Sequence, residues 1–164
     1  MLPSIAPRLI LLTALVIASM TLMSPAPVRA AAPDPSPRFT VEDLDGPLQE
    51  MYALINRVRT RRDLHRLKPD ACLTNRVAQP WADELARTRV FRHSDLHEGR
   101  RICRVAWIGE NLAKGFATPR QAMRAFMRSP GHRRNLLTPR WRAVGLGVAV
   151  DRNGSIYWSQ NFSD

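Results

Sequence analysis

The sequence lacks the short motifs that mark the common catalytic sites. No serine lies in a Gly-x-Ser-x-Gly turn, and no glycine-rich phosphate loop is present. His93 and His97 are spaced like a helical zinc pair, but the residues between them lack the usual glutamate and favour a loop. Local spacing therefore indicates neither a serine nucleophile nor a nucleotide site, and it gives only a weak indication of a metal.

Long apolar runs are also scarce, and the one that exists lies at the N-terminus. Residues 1–30 have the pattern of a secretory signal peptide, with Arg8 before the run and Val28-Arg29-Ala30 as a cleavage site. An uncleaved membrane anchor is the alternative. No second run follows, so the mature chain is predicted to have no transmembrane segment and to be secreted and extracellular. Residues 31–45 are predicted to form a flexible, proline-rich leader before one domain at 46–164.

Only two cysteines are present, Cys72 and Cys103. In an exported protein an even pair predicts one disulfide, because the compartment is oxidising. The alternative is a pair of buried thiols. A disulfide would remove both cysteines from the set of candidate ligands and nucleophiles.

Acidic residues are scarce in the second part of the chain. Residues 31–70 hold seven acids and seven bases, whereas residues 71–164 hold seven acids and sixteen bases. This excess should attract anionic partners such as cell-surface polymers or anionic lipid. Genomic composition is an alternative source of part of the excess, since arginine outnumbers lysine 23 to 2. No nucleic-acid motif is present, so nucleic acid is not expected as a partner.

Three segments have helical periodicity. The first is predicted at 46–62, with Asp45 as its cap. The second is predicted at 74–89, with Thr74 as its cap and Pro80 bending it or delaying its start. The third begins at Thr118, and Pro130-Gly131 is expected to end it. Trp81 and Phe126 lie in the apolar stripes and are predicted to be core residues.

The remaining segments favour strands and a loop. A polar loop is predicted at 90–104, a short buried strand at 105–109, and a hairpin after Trp141 that turns at Asn153-Gly154. Helices on both faces of a small antiparallel sheet would bury all the apolar stripes. The predicted fold class is α+β, with the sheet sandwiched between helices.

Five short motifs together resemble a known family. "LINRVR", "FRHS", "GENLA", "AFMRSPGHRRNLL" and "VGLGVAV…QNF" occur in the order found in the bacterial branch of the CAP superfamily, also called the SCP-like extracellular domain. The likeness spans about residues 48–163. It implies an α-β-α sandwich, in agreement with the patterns above.

The resemblance also implies a surface cleft in which histidines and glutamates gather. By motif, the cleft residues would be His93, Glu110, Asn111, Ser129 and His132. Ser129 stands near the position of the family's second glutamate, and Phe126 stands where tryptophan is usual. His93 and His132 could hold zinc or another divalent ion weakly, since one carboxylate is lost. The alternative is a hydrogen-bonded polar cluster without metal.

Three functions are compatible with these observations. The first is a non-enzymatic binding module for a lipid, sterol or anionic cell-surface ligand. The second is a weakly metal-dependent hydrolase that uses the cleft, and the third is a secreted factor that binds a protein partner through its basic half. The first is preferred, because nothing in the sequence identifies a substrate or an oxyanion site.

Overall fold

The computed structural model describes residues 45–164. The predicted signal peptide and all of the predicted leader except Asp45 lie outside the described residues. Within residues 45–164, no helix is both long and apolar enough to cross a membrane.

The described chain alternates helices and short strands. The helices are α1 (Gly46–Thr60), α2 (Ala71–Leu73), α3 (Gln79–Thr88), α4 (Leu96–Cys103), α5 (Pro119–Arg128) and α6 (Pro130–Leu136), and a π-helical turn (Thr74–Ala78) joins α2 to α3. The strands are β1 (Lys68–Pro69), β2 (Ile108–Lys114), β3 (Ala143–Val150) and β4 (Ile156–Ser163).

The four strands form one sheet in the order β1-β3-β4-β2. The β2–β4 and β3–β4 pairs are antiparallel, and only the two-residue β1 runs parallel to its neighbour. β2 is thus an edge strand, in which Glu110 pairs with Asn161 and Asn111 pairs with Gln160. Because successive side chains of a strand alternate, Glu110 and Asn111 point to opposite faces of the sheet.

Each face of the sheet is covered by helices. Met51 and Ile55 of α1 and Phe126 of α5 pack with Phe162 in the larger core. The smaller core joins α3 to the sheet through four buried residues, Leu85, Ala86, Leu112 and Tyr157. The structure is therefore an α-β-α sandwich of the α+β class, as the sequence predicts.

The second helical segment begins earlier than predicted. The Asp70 side chain accepts a hydrogen bond from the Leu73 N–H, so Asp70 is the cap. Thr74 is buried inside the segment and accepts a hydrogen bond from the Leu146 N–H of β3. Pro80 lies in the first turn of α3, directly after the π-helical turn, which agrees with its predicted effect on the helix start.

Two local predictions are wrong. The polar segment at 90–104 contains α4, capped by the Asp95 side chain, which accepts from His97 and Glu98. The strand predicted at 105–109 lies at 108–114, because hydrogen-bonding partners make the burial of its polar residues favourable. The predicted end of α5 before Pro130-Gly131 is confirmed, and Pro130 also begins α6, a helix that the sequence analysis does not predict, since proline fits a first helical turn.

The predicted caps and core aromatics are confirmed only in part. Thr118 caps α5 by accepting from the Gln121 N–H, and Phe126 is 1% exposed. Asp45 caps α1 through its backbone carbonyl only, with no side-chain cap bond. Trp81 is only half-buried at the margin of the smaller core, and the Arg92 guanidinium lies over its ring, so its assignment as a core residue is corrected.

Cys72 and Cys103 form a disulfide, as predicted. The bond joins α2 to the last residue of α4. It therefore ties α2, which contacts β3, to α4, which contacts β2.

Candidate functional site

The structure brings the five predicted cleft residues to one open depression of about 540 Å³. Its lining consists of polar and small residues from the segment after α3, from β2, and from α6 with its flanks: His93, Glu110, Asn111, Ser129, Gly131, His132, Arg134, Asn135 and Thr138. We call this depression the cleft.

Glu110 is the most constrained side chain of the cleft. Its side chain has no exposed surface. Its Oε1 atom lies 2.6 Å from His93 Nδ1 and accepts from the Ser94 N–H at 3.1 Å. Its Oε2 atom accepts from the Ser94 hydroxyl at 2.6 Å. Both carboxylate oxygens are therefore held by the segment that follows α3.

Asn135 joins β2 to α6, and sequence reasoning did not identify it. Its Nδ2 atom donates to the Glu110 carbonyl at 3.0 Å and to Asn111 Oδ1 at 3.2 Å. Gly109 leaves room for this contact, because a Cβ atom there would lie 2.5 Å from Asn135 Oδ1. The sequence could have indicated Asn135 as a cleft residue, because it lies one helical turn after His132 and therefore on the same side of a helix.

Asn111 and Gln160 continue this network under the cleft floor. Asn111 Nδ2 donates to the His132 carbonyl and to Gln160 Oε1, each at 3.2 Å. Gln160 is fully buried on β4. The amide network fixes the position of His132 through its backbone rather than through its ring.

His132 lies in the first turn of α6 with its ring edge against Phe126, at 5.3 Å between centroids and 72° between planes. Burial lowers the pKa of His132 below its ordinary value, and the charge of His93 adds to this effect. Both causes favour the neutral imidazole. The adjacent arginines differ, since Arg134 lines the cleft whereas Arg133 donates to the Met127 carbonyl.

The donor set of the cleft fits a divalent ion only in part. Among residues 45–164, no group of three or more histidine, cysteine or acidic side chains is arranged to hold a metal ion. The Glu110 oxygens are already bonded, which leaves the second ring nitrogen of His93 and the ring of His132. Two imidazoles alone leave most positions of a zinc ion to water.

A second depression lies between α1 and α5, and sequence reasoning did not identify it as a site. Its volume is about 250 Å³, and it is lined by four apolar side chains and four arginines: Leu54, Val58, Met123, Met127, Arg57, Arg61, Arg120 and Arg124. We call it the arginine groove. In the sequence, the groove is indicated by two pairs of arginines four residues apart, one pair at the end of α1 with Arg61 as its C-cap residue and one pair on α5.

The family profile described as "CAP: Cysteine-rich secretory protein family" matches residues 52–162. The uncharacterized protein YkwD of Bacillus subtilis (strain 168) is 46% identical over 54 residues, which are 33% of this chain and 20% of that protein. The chain thus matches only about a fifth of the length of that curated relative.

Solved structures of similar fold include two from bacteria. An outer surface protein from Borrelia burgdorferi superposes with a TM-score of 0.66 at 21% identity, over 73% of this chain and 93% of that one. An extracellular protein containing a SCP domain from Bacillus anthracis superposes with a TM-score of 0.63 at 25% identity, over 70% of this chain and 39% of that one.

Proposed function

The chain belongs to the cysteine-rich secretory protein family, and we propose that it is an exported binding module that holds a single-chain anionic amphiphile in the arginine groove without chemical turnover. The observation that carries the proposal is the composition of that groove. An apolar floor between two helices is bordered by cationic side chains from both helices.

The floor and the border suit the two ends of such a ligand. Met123 is buried, and Leu54, Val58 and Met127 are half-buried, so an alkyl chain would cover apolar surface that water now contacts. Guanidinium groups are suited to carboxylate and phosphate. A volume of about 250 Å³ lies just below the usual range of roughly 300–1,000 Å³ for ligand sites, which favours one alkyl chain over a two-chain lipid.

Three of the four arginines are available to a ligand. Arg120 pairs with Glu50 of α1 at 2.7 Å. None of the ion pairs found within residues 45–164 involves Arg57, Arg61 or Arg124. An incoming carboxylate would therefore offset cationic charge that the described part of the chain leaves unpaired.

Export is supported by two further features. The N-terminal segment has the signal-peptide pattern, and the Cys72–Cys103 disulfide suits an oxidising compartment. Two proteins of similar fold are described as an outer surface protein and as an extracellular protein. N-terminal sequencing of the protein recovered from the medium of an exporting host should begin near residue 31, whereas retention of the whole chain in the cells would contradict export.

The binding test uses palmitate displacing a fluorescent fatty acid. The wild type should bind, and Arg57→Gln combined with Arg124→Gln should weaken palmitate binding by about tenfold, the effect of roughly 1.4 kcal/mol. The matched control is Arg128→Gln, which removes an exposed charge of α5 outside the groove. Hexadecanol, which lacks the carboxylate, should bind more weakly than palmitate. Equal binding by all three proteins would contradict the proposed site.

A second candidate function is metal-dependent hydrolysis at the cleft, and one contact favours it. A histidine that binds zinc commonly donates its other ring N–H to a carboxylate. The His93–Glu110 contact has this form, the His93 side chain is 64% exposed, and His93 and His132 line the same cleft. These two rings would hold the ion, which could polarise a bound substrate carbonyl.

Zinc titration by calorimetry separates this candidate from the hydrogen-bonded cluster. If the cleft binds zinc, His93→Ala and His132→Ala should each abolish weak binding, and acidification should weaken it because only neutral imidazole binds metal. The matched control is His97→Ala, an exposed histidine of α4 that does not line the cleft. Binding that survives both cleft substitutions would exclude the pair as ligands.

A further inference from the structure

Two consecutive large apolar side chains project from the segment after α3. Arg89 ends the helix with a positive φ of 59°, which turns the chain away from the helical path. The next two residues, Val90 and Phe91, are 55% and 48% exposed. We call residues 89–92 the Val90–Phe91 loop.

Phe91 also packs against apolar residues beyond the loop. The Phe91 ring lies against Tyr157, with 6.4 Å between the ring centroids. Phe91 also forms one wall of a shallow groove of about 320 Å³, whose other apolar walls include Leu112, Phe116 and Ala125. Together, the exposed loop residues and the half-buried groove walls Phe116 and Ala125 form an apolar patch on this side of the molecule.

Three cationic side chains adjoin this patch. Arg89 and Arg92 flank the two apolar residues, and Lys114 borders the groove. Arg92 is held over the Trp81 ring at 4.6 Å, and Lys114 is held over the Tyr157 ring at 5.0 Å. None of the ion pairs found within residues 45–164 involves these three cations.

We propose that the Val90–Phe91 loop docks the protein on an anionic lipid bilayer. Val90 and Phe91 enter the interface between headgroups and acyl chains, while Arg89, Arg92 and Lys114 face the anionic headgroups. This surface shares no residue with the arginine groove, so it adds a membrane-docking function to the binding of a single amphiphile.

Charge and size together favour a bilayer over a protein partner. A stable protein interface covers about 800 Å² and roughly 20–30 residues on each partner, whereas this surface consists of two exposed apolar side chains beside a shallow groove. Interfacial membrane binding needs only a small apolar insertion supported by basic residues near an anionic surface. Docking should therefore be reversible and should weaken with salt.

The first test is co-sedimentation with vesicles, using the protein recovered after export. The wild type should bind vesicles of phosphatidylcholine with phosphatidylglycerol and should not bind phosphatidylcholine alone. Val90→Ser combined with Phe91→Ser should weaken binding by at least about tenfold, or roughly 1.4 kcal/mol. The control is Val150→Ser, which removes another exposed valine, 61% exposed at the end of β3. Equal binding of the loop variant and the wild type would overturn the proposal, as would equal binding to both kinds of vesicle.

The second test locates the loop directly. In Phe91→Trp the new indole should be quenched by lipids brominated on their acyl chains, whereas the indole of Val150→Trp should not. Quenching that is equal in the two variants would overturn the assignment of this surface. Palmitate binding should be unchanged in both loop variants, so failure of docking and failure of the arginine groove give different results.

Discussion

At the scale of single residues, Glu110 is a buried carboxylate whose bonds determine what the cleft can do. A general base must reach a substrate proton. Both oxygens of Glu110 instead accept hydrogen bonds from residues 93 and 94. The carboxylate is therefore placed to orient His93 and to hold the segment after α3 on β2.

We predict that Glu110→Gln destabilises the protein by about 1–3 kcal/mol, because the amide NH₂ would face the Ser94 donors and leave a buried polar group unpaired. The free energy of unfolding in urea measures the effect. The control is Glu98→Gln, which removes a 47% exposed carboxylate paired with Arg101 on α4 and should leave the midpoint unchanged. Equal midpoints for the two variants would contradict the structural role of Glu110.

His132 predicts a specific pH dependence. Since burial lowers the pKa of His132 in the folded state, the folded and unfolded chains are both neutral at this position well above about pH 6.5. As the pH falls below that value, the unfolded chain binds a proton that the folded chain resists, so stability is lost. The Tm of the wild type should therefore fall more between about pH 8 and about pH 5 than that of His132→Gln.

Comparing the pH dependence of the Tm between the wild type and His132→Gln separates the contribution of His132 from that of the other titrating groups. Ser129→Ala, which changes a neighbouring cleft residue that does not titrate, should leave the pH profile of the Tm parallel to that of the wild type. A His132→Gln profile that is also parallel would show that His132 makes no contribution to acid sensitivity.

At the scale of elements, β3 is built so that a helix can lie directly on it. The segment from Leu73 to Gln79 crosses β3, and Gln79 exchanges two hydrogen bonds with the backbone of Val148. A Cβ atom at Gly145 would lie 2.3 Å from the Leu73 backbone. The glycine is required by this close approach rather than by its own dihedral angles.

We predict that Gly145→Ala costs more than about 3 kcal/mol or prevents folding, because backbone atoms cannot yield to the added methyl group. Gly131→Ala is the control, since a Cβ atom there meets nothing within 4 Å. That substitution should change stability by less than about 1 kcal/mol, in the stabilising direction expected inside a helix. The free energies of unfolding in urea of the two variants are compared. Similar free energies would show that the helix does not approach β3 closely enough to exclude a methyl group at Gly145.

Elements with local signals could be predicted from the sequence. The amphipathic stripes of α1 and α5 and the threonine-proline start of α5 depend on neighbouring residues only. The hairpin of β3 and β4 is indicated by Asn153-Gly154, and the structure has a turn there. These elements account for most of the predicted sandwich.

Elements that depend on distant partners could not be predicted in the same way. The strand β2 was misplaced because Glu110 and Asn111 are polar. Their burial is favourable because Ser94 and Asn135 donate hydrogen bonds to them and Gln160 accepts one from Asn111. Helix α4 has eight residues and no fully buried side chain, its one buried residue being Gly99, so its apolar periodicity is weak. Its acidic cap, Asp95, was the signal that the sequence did offer.

Surface features likewise differ in whether they could be predicted from the sequence. The family resemblance identified five of its residues by motif, and the structure places those five around one depression. The arginine groove and the Val90–Phe91 loop were not predicted, because each requires knowledge of which helices become neighbours or which apolar side chains stay exposed. Composition alone indicated only an excess of positive charge.

At the scale of the whole molecule, the disulfide closes a loop that carries part of the cleft and part of the proposed docking surface. Cys72 and Cys103 are separated by 31 residues, and the closed loop contains α3, the Val90–Phe91 loop and His93. Limiting the freedom of a loop of this length in the unfolded chain contributes about 3–4 kcal/mol in the chain-entropy treatment. The bond therefore supports both the cleft and the proposed docking surface.

We predict that Cys72→Ser combined with Cys103→Ser lowers the free energy of unfolding by about 3–4 kcal/mol. In excess dithiothreitol, the free energy of unfolding of the wild type should fall to that of the double variant. Dithiothreitol should not change the free energy of unfolding of the double variant. The two results separate loss of the disulfide from loss of the thiol side chains. Titration of the unfolded, unreduced wild type should detect no thiol. Two reactive thiols, or a double variant as stable as the oxidised wild type, would contradict this role, because the loop would then be held in place by packing alone.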